Sequence, residues 1–324
     1  MKFRFILPIF SLIVYLLCLF QKNLSGQMIT TINDIISPDE HLIKVSTYIE
    51  FGFTEGCSWD RKGSLCFSDV NNNKIIKYEL GSNKFSVWAE NTEAGNGTMF
   101  TRDGFLYVCE GGARRVAAYN SDGKRIKIVA DSYNGKKLNS PNDICIDRNG
   151  GVYFSDPRYG DIRGKEQEID CVYYIHPDGE IIRAVDDRVN PNGLILSPDE
   201  SILYVNDSWF PYIRAYEVQS DGTVKNGRNF ARVELPPWNS ESGVSLIRTG
   251  TDGMTIDQLG NLYVTTQVGL QIFNSGGERL YILKIPEKPT NCTFGGQNND
   301  ILFITAQKSL YQIRTKMKGT QFQQ

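Results

Sequence analysis

Histidine is almost missing from this chain: His41 and His176 are the two among 324 residues. That scarcity argues against a zinc centre, which draws on His and Cys, and against a Ser-His-Asp triad, which has no base without an imidazole. The cysteines show no Cys-x-x-Cys spacing, so zinc-ribbon and thioredoxin-like readings are weak. No block of Lys and Arg occurs, which makes nucleic acid and anionic membranes poor partners. No long helical period appears after residue 40, so an all-β chain is expected.

One apolar run does occur, at the N-terminus. Lys2 and Arg4 precede "FILPIFSLIVYLLCLF" (5–20), which is short for a membrane span and carries Pro8. Small polar residues ("NLSGQ") follow, so 1–26 reads as a secretory signal cleaved near Gly26, with an uncleaved anchor as the alternative. Cys18 follows Leu16 and Leu17, which is no lipoprotein context. The leader holds three bases and no acids, so the mature chain has 32 bases against 37 acids, a net of −5. Six cysteines remain (57, 66, 109, 145, 171 and 292), several inside apolar strand patterns, and a disulfide stays open in a secreted chain. The expected organisation is 1–26 signal, 27–41 lead segment, 42–315 a single β-domain and 316–324 tail.

The β-domain is repetitive. A turn followed by an apolar-aromatic run recurs six times: "WDRKGSLCFSD", "FTRDGFLYVCE", "IDRNGGVYFSD", "LSPDESILYVND", "IDQLGNLYVTT" and "FGGQNNDILFITA". The equivalent residues are Leu65, Leu106, Val152, Leu203, Leu262 and Leu302, at spacings of 41, 46, 51, 59 and 40. Periods of this size with several strands each indicate a propeller. The third unit reads as four strands, "DICID", "GVYFSD", "DCVYYIHP" and "EIIRAV". Two stacked β-sandwiches fit the periodicity worse. The sixth unit ends early at "SLYQIRTK", so its outer strand is expected from "LIKVSTYI" (42–49), closing a six-bladed β-propeller with both ends of the domain.

Ten or eleven residues before each anchor stands Glu55, Asn96, Asn142, Asn192, Asp252 and Asn291. Every one is Glu, Asp or Asn, and five are followed by Gly or Asp. This position starts the innermost strand, so six oxygen-bearing side chains would face one end of the central channel. Turn chemistry accounts for the glycines but not for Glu55. Carboxylates and amide oxygens around one axis suit a hard divalent cation, calcium or magnesium before zinc. Turn chemistry stays the stronger account of Asn96 and Asn291.

At these residues the chain resembles the SMP-30/gluconolactonase/LRE group, over roughly 42–315. The motifs are "FTEGCSWD" (53–60), "NGKKLNSPNDICID" (134–147), "GVYFSDPRYG" (151–160), "PNGLILSPDE" (191–200), "TDGMTID" (251–257) and "TNCTFGGQNNDILFITAQKSLYQI" (290–313). The bacterial gluconolactonase branch looks nearest. The resemblance implies one divalent cation, usually calcium with magnesium, manganese or zinc accepted, on Glu55, Asn142, Asn192 and Asp252. It also implies hydrolysis of lactones, sugar aldonolactones first. Two departures stand out: Cys57 where Pro is expected, and Gly111 where His is expected, the second in a loop that often lines the substrate mouth.

The mechanism that fits these residues is attack by water on a polarised lactone carbonyl, with a carboxylate taking the proton. Asp252 is the first candidate for that base, unless it acts only as a ligand, and Asp143 is the second. Asn96, Arg158, Tyr159 and Trp209, with Phe210, are candidates for contacting substrate. The rival reading is a non-catalytic propeller that binds a ligand or partner around a structural cation. Strictosidine-synthase-like condensation is weakened, because such sites lack the ring. A small-molecule partner is expected, with no nucleic acid and no membrane beyond an uncleaved anchor. The glycosylation pattern Asn-x-Ser/Thr occurs at Asn23, Asn96, Asn206 and Asn291.

Overall fold

A computed structural model describes residues 31–159, 162–187, 189–237 and 249–320. The expected signal segment, the Asn23 glycosylation motif and the end of the tail lie outside them. Six four-stranded antiparallel sheets follow one another along the chain, with a two-stranded hairpin (Ser132–Tyr133 and Lys136–Lys137) between the second and third. We call the sheets blades 1 to 6. Their inner strands are Thr54–Trp59, Gly95–Phe100, Ile144–Ile146, Pro191–Leu196, Met254–Ile256 and Pro289–Gly295. This is the six-bladed propeller the spacing predicts. Helix is confined to the turn Ile32–Ile35 and the 3-10 turn Val70–Asn72 among the described residues.

Period-2 alternation is blurred in the second strand of each blade because both of its faces are covered. In Ser64–Asp69, Leu65 and Phe67 are fully buried on one face and Cys66 and Ser68 on the other. All six anchor residues, Leu65 to Leu302, are buried in second strands. Blades meet through aromatic layers. Phe303 of blade 6 takes Trp59 of blade 1 in a stack at 5.6 Å and the edge of Tyr78 at 6.3 Å. Each such side chain contributes about 1.5–3 kcal/mol of burial. Fourth strands face water and show it: Arg125–Ala130 exposes its first four residues.

The ring closes as expected but with a shorter strand. Ile43–Lys44 pairs antiparallel with Ser309–Arg314, Ile43 opposite Gln312 and Lys44 opposite Tyr311. Val45 and Ser46 N–H still donate to the Leu310 carbonyl (2.8 and 3.4 Å), and the chain then turns away, with the Thr47 hydroxyl donating to the Lys44 carbonyl at 3.0 Å, so 47–49 leave the sheet. A second closure lies near the axis, where Thr290 Oγ1 of blade 6 donates to the Thr54 carbonyl of blade 1 at 2.7 Å.

The cysteines resolve simply. Cys57, Cys66, Cys109, Cys145, Cys171 and Cys292 are all free and buried, so the disulfide held open for a secreted chain is not formed. Burial, reinforced by Glu55, pushes the Cys57 thiol far above its ordinary value, which leaves it a packing group and not a nucleophile.

Candidate active site

The six offset residues sit where the inner strands begin, and a local irregularity aims them. In blades 1, 2, 4 and 6 the register slips between Glu55 and Ser58, Gly95 and Thr98, Pro191 and Leu194, and Pro289 and Asn291. Blades 3 and 5 repeat the device just before the strand. There Ser155 bonds both Asn142 and Asp143 (2.9 and 3.0 Å), and Thr265 bonds both Asp252 and Gly253 (3.0 and 3.1 Å). Two residues facing one is a β-bulge, which re-aims a side chain. The glycine after the ring position lets the next blade approach. A Cβ on Gly193 would collide with the Asp252 carbonyl, and one on Gly97 with the main chain of Asn142 and Asp143. Inter-blade hydrogen bonds use that closeness: Gly97 N to Asn142 O (2.7 Å), Gly193 N to Asp252 O (3.2 Å) and Gly253 N to Thr290 O (2.7 Å).

The side chains converge. Glu55, Asp143, Asn192, Asp252 and Asn291 are all buried, and Asn96 and Asn142 are partly so. Asn192 and Glu55 lie close enough to the Asp252 carboxylate to influence its protonation. Lys288 Nζ pairs with Asp252 Oδ2 at 3.1 Å. Asp143 keeps Oδ1 on the Ile144 N–H (2.9 Å), while Oδ2 faces Asn291 Nδ2 at 3.5 Å. Three carboxylates in one dry place repel one another. Burial first, then Asp252 and Asp143, raise Glu55 well above the usual carboxylate range. Burial, with Asp252 adding, pushes Asp143 up to about 7. Burial raises Asp252 as well, against the opposing pull of Lys288.

That crowding tests the fit of a cation. The donors are carboxylate and amide oxygens, the set hard divalent cations take, and burial together with mutual repulsion raises the pKa values of the carboxylates. Among the described residues no three or more His, Cys, Asp or Glu side chains are arranged to hold a metal by themselves, so the amides of Asn142 and Asn192 belong to any such site. Neither histidine joins it; His176 sits on the turn of blade 3, its ring against Tyr174 at 4.8 Å.

The expected substrate contacts separate. Tyr159 reaches inward, its hydroxyl donating to the Pro191 carbonyl (2.9 Å) and meeting Ser208 Oγ (3.0 Å) beside Asn192. Arg158 is turned to main-chain carbonyls, donating to that of Asn139 in the preceding loop (3.0 Å) and that of Arg163 in its own (3.2 Å). Trp209 and Phe210 stand 55% and 59% exposed on a turn that Asp207 Oδ1 pins through both their N–H groups. Asn96 gives its carbonyl to Ser68 Oγ at 2.6 Å. The sequence reading missed Lys288, which stands three residues before Asn291, and Ser208, the partner of Tyr159. Two glycosylation motifs fall on inaccessible side chains, Asn206 and Asn291.

Comparison with known proteins places the chain in a family and matches its fold. The model of the SMP-30/gluconolactonase/LRE-like region matches residues 53–308. A gluconolactonase of Zymomonas mobilis is 33% identical over 92% of this chain and 90% of its own length. Regucalcin of Danio rerio is 29% identical over 76% of this chain and 80% of its own. The solved structure of a gluconolactonase from Xanthomonas campestris superposes with a TM-score of 0.77 at 28% identity, covering 90% of this chain and 96% of that one.

Proposed function

The chain belongs to the SMP-30/gluconolactonase/LRE-like family, and on that premise we propose that it is a hydrolase that opens a lactone, with sugar aldonolactones as the preferred class. The observation that carries this reading is the ring of buried oxygen donors at one end of the channel, whose carboxylates are held above their ordinary pKa values. Relatives named gluconolactonase and lactonase support the reaction class. Glu55, Asn142, Asn192 and Asp252 would hold one divalent cation, calcium first, and a relative described as calcium-binding shares the fold. The chemistry such a cation supplies when bound is polarisation of an ester carbonyl.

The chain's own residues do the rest. A base must be ionised to take a proton, and Lys288 beside Asp252 gives that carboxylate a charge partner in a dry setting. Asp252 is therefore the first candidate to accept the proton of the attacking water. Asp143 is the second, through Oδ2, because Oδ1 is held by the backbone. Asn96, Asn142 and the hydroxyls of Tyr159 and Ser208 offer hydrogen bonds of the kind a polyol substrate satisfies. Trp209 forms an apolar side to the mouth. Water suffices as nucleophile, since no Ser-His pair belongs to the ring. We further propose that residues 1–26 act as a cleaved leader and that the enzyme is secreted or periplasmic, which N-terminal sequencing of the mature protein would check against an uncleaved anchor.

The direct test of the residue assignment is Asp252→Ala, assayed with glucono-1,5-lactone by pH-stat. Hydrolysis is lost while circular dichroism and Tm are retained. Unchanged turnover in that variant would remove Asp252 from the mechanism.

A further inference from the structure

The residues assigned so far act on the carbonyl and on the attacking water. Opening a lactone also breaks the bond from the carbonyl carbon to the ring oxygen. That oxygen leaves with the electron pair, as an alkoxide, and a positive charge fixed beside it lowers the barrier. Lys288 is a cationic side chain that the fold brings to the ring.

Its placement is built in from both sides of the chain. Glu287, one residue before, does not take its charge. That carboxylate is committed elsewhere, accepting from Lys44 Nζ (3.2 Å), Lys308 N (3.2 Å), Ser309 Oγ (2.5 Å) and Tyr311 Oη (2.9 Å). Pro289, one residue after, begins the inner strand of blade 6, and its own ring fixes the backbone there. Thr290 is tied to the blades on either side: its carbonyl accepts Gly253 N (2.7 Å) and its hydroxyl donates to the Thr54 carbonyl (2.7 Å). From this base Lys288 crosses the seam to blade 5 and sets Nζ 3.1 Å from Asp252 Oδ2. Its side chain is 34% exposed and that of Asp252 12%, so the lysine lies nearer the opening than the carboxylate it pairs with. Its charge bears on Glu55 as well as on Asp252.

We infer that Lys288 is a catalytic residue of this site: its ammonium stands beside the ring oxygen of the lactone and stabilises the charge that gathers there as the carbon–oxygen bond breaks. The inference rests on the lactonase reading. Attack and departure concern two oxygens bonded to one carbon, so a base that reaches the attacking water and a donor 3.1 Å from that base span a single ester group. The step balances. Water adds its oxygen to the carbonyl carbon, and its proton goes to Asp252. The bond to the ring oxygen then breaks, that oxygen keeps the electron pair, and the proton passes to it from Asp252. Lys288 keeps its own protons throughout and supplies charge and hydrogen bonds. The products are the open-chain hydroxy acid and the regenerated carboxylate.

The test measures kcat and KM of the full chain on glucono-1,5-lactone in Lys288→Met and Lys288→Gln, with the kinetic isotope effect of heavy oxygen placed in the lactone ring. Both variants should lose about a hundredfold in kcat while KM changes by less than about threefold. The ring-oxygen isotope effect should grow, because bond breaking becomes the slow step. A lysine that only holds Asp252 in place would slow the attack of water instead and leave that isotope effect as in the native chain. Gln can keep a hydrogen bond to Asp252 while removing the charge, and it decides the matter should Lys288→Met fail to fold. Absence of turnover in the native protein would remove the lactonase reading, and this role with it. Native turnover with kcat retained in a folded variant, or kcat lost with the isotope effect unchanged, would overturn the role of Lys288 alone.

Discussion

Replacing Gly193 by alanine should damage both the fold and the site, because that glycine is where blade 4 meets the main chain of Asp252. An added Cβ would lie 2.9 Å from Gly253 Cα and closer still to the Asp252 carbonyl, whereas ordinary contact begins at 3.4 Å. The obstacle is backbone on both sides, so no side-chain rotation relieves it. Overpacking of this kind costs about 1–3 kcal/mol. The same displacement loosens two hydrogen bonds to the Asp252 carbonyl, from Gly193 N (3.2 Å) and from Asn206 Nδ2, each contributing about 0.5–1.5 kcal/mol. The expected loss is about 2–6 kcal/mol, which lowers Tm by roughly 4–12 °C in a chain of this size. A shift of about 1 Å in Asp252 should also cost on the order of a hundredfold in turnover. Urea unfolding and lactone hydrolysis measure the two effects. Gly81→Ala is the control, since a Cβ there meets nothing within 4 Å and its φ is not positive, so stability should hold or rise by up to about 1 kcal/mol. Native-like stability and turnover in Gly193→Ala would refute the claim that close inter-blade backbone contact places Asp252.

Three further outcomes follow from the same geometry. Asp252→Asn should lose hydrolysis by about a hundredfold or more while Tm changes little, because it removes both a repelling carboxylate and the ion-pair partner of Lys288; unchanged turnover would contradict the assignment of Asp252. The raised pKa of Asp143, about 7 against 3.8, means that the folded chain holds a proton there which the unfolded chain has released. Stability from this group is therefore full below about pH 4 and lost progressively as pH rises to about 7, so the Tm of cation-stripped protein should fall between about pH 4 and 7 and level off above it, and Asp143→Asn should flatten the slope. Thr290→Val, which removes the hydroxyl that joins blade 6 to the Thr54 carbonyl, should cost about 1–3 kcal/mol by urea unfolding, and an unchanged midpoint would dismiss it as a ring clasp.

The blades were legible because a turn and an apolar-aromatic run repeat in every one, and the buried anchors Leu65 to Leu302 are the physical content of that repeat. The ring residues were legible by a different route. A fixed offset from those anchors survives any drift in loop length, and it found Glu55 and Asp252 before their side chains were known to meet. What stayed hidden depends on residues brought together only by closure. Lys288 lies 36 residues after its partner Asp252 and has no pattern of its own. The Thr290–Thr54 clasp joins residues 236 apart. Arg158 illustrates a different limit: its place beside the site was readable, but not that loop carbonyls would take its guanidinium. Likewise, the glycosylation pattern at Asn206 and Asn291 says nothing of burial, and burial decides whether a sugar can be attached.

The central claim is that the oxygen ring holds a cation on which lactone hydrolysis depends. Its most direct measurement is glucono-1,5-lactone hydrolysis by chelator-stripped protein, before and after calcium, magnesium, manganese or zinc is returned, with Tm followed in parallel. Loss of turnover on stripping and its restoration by a cation, calcium foremost, is the predicted result. A cation that raises Tm while neither its removal nor its return alters turnover would contradict the account, leaving a propeller whose ion only holds the blades together.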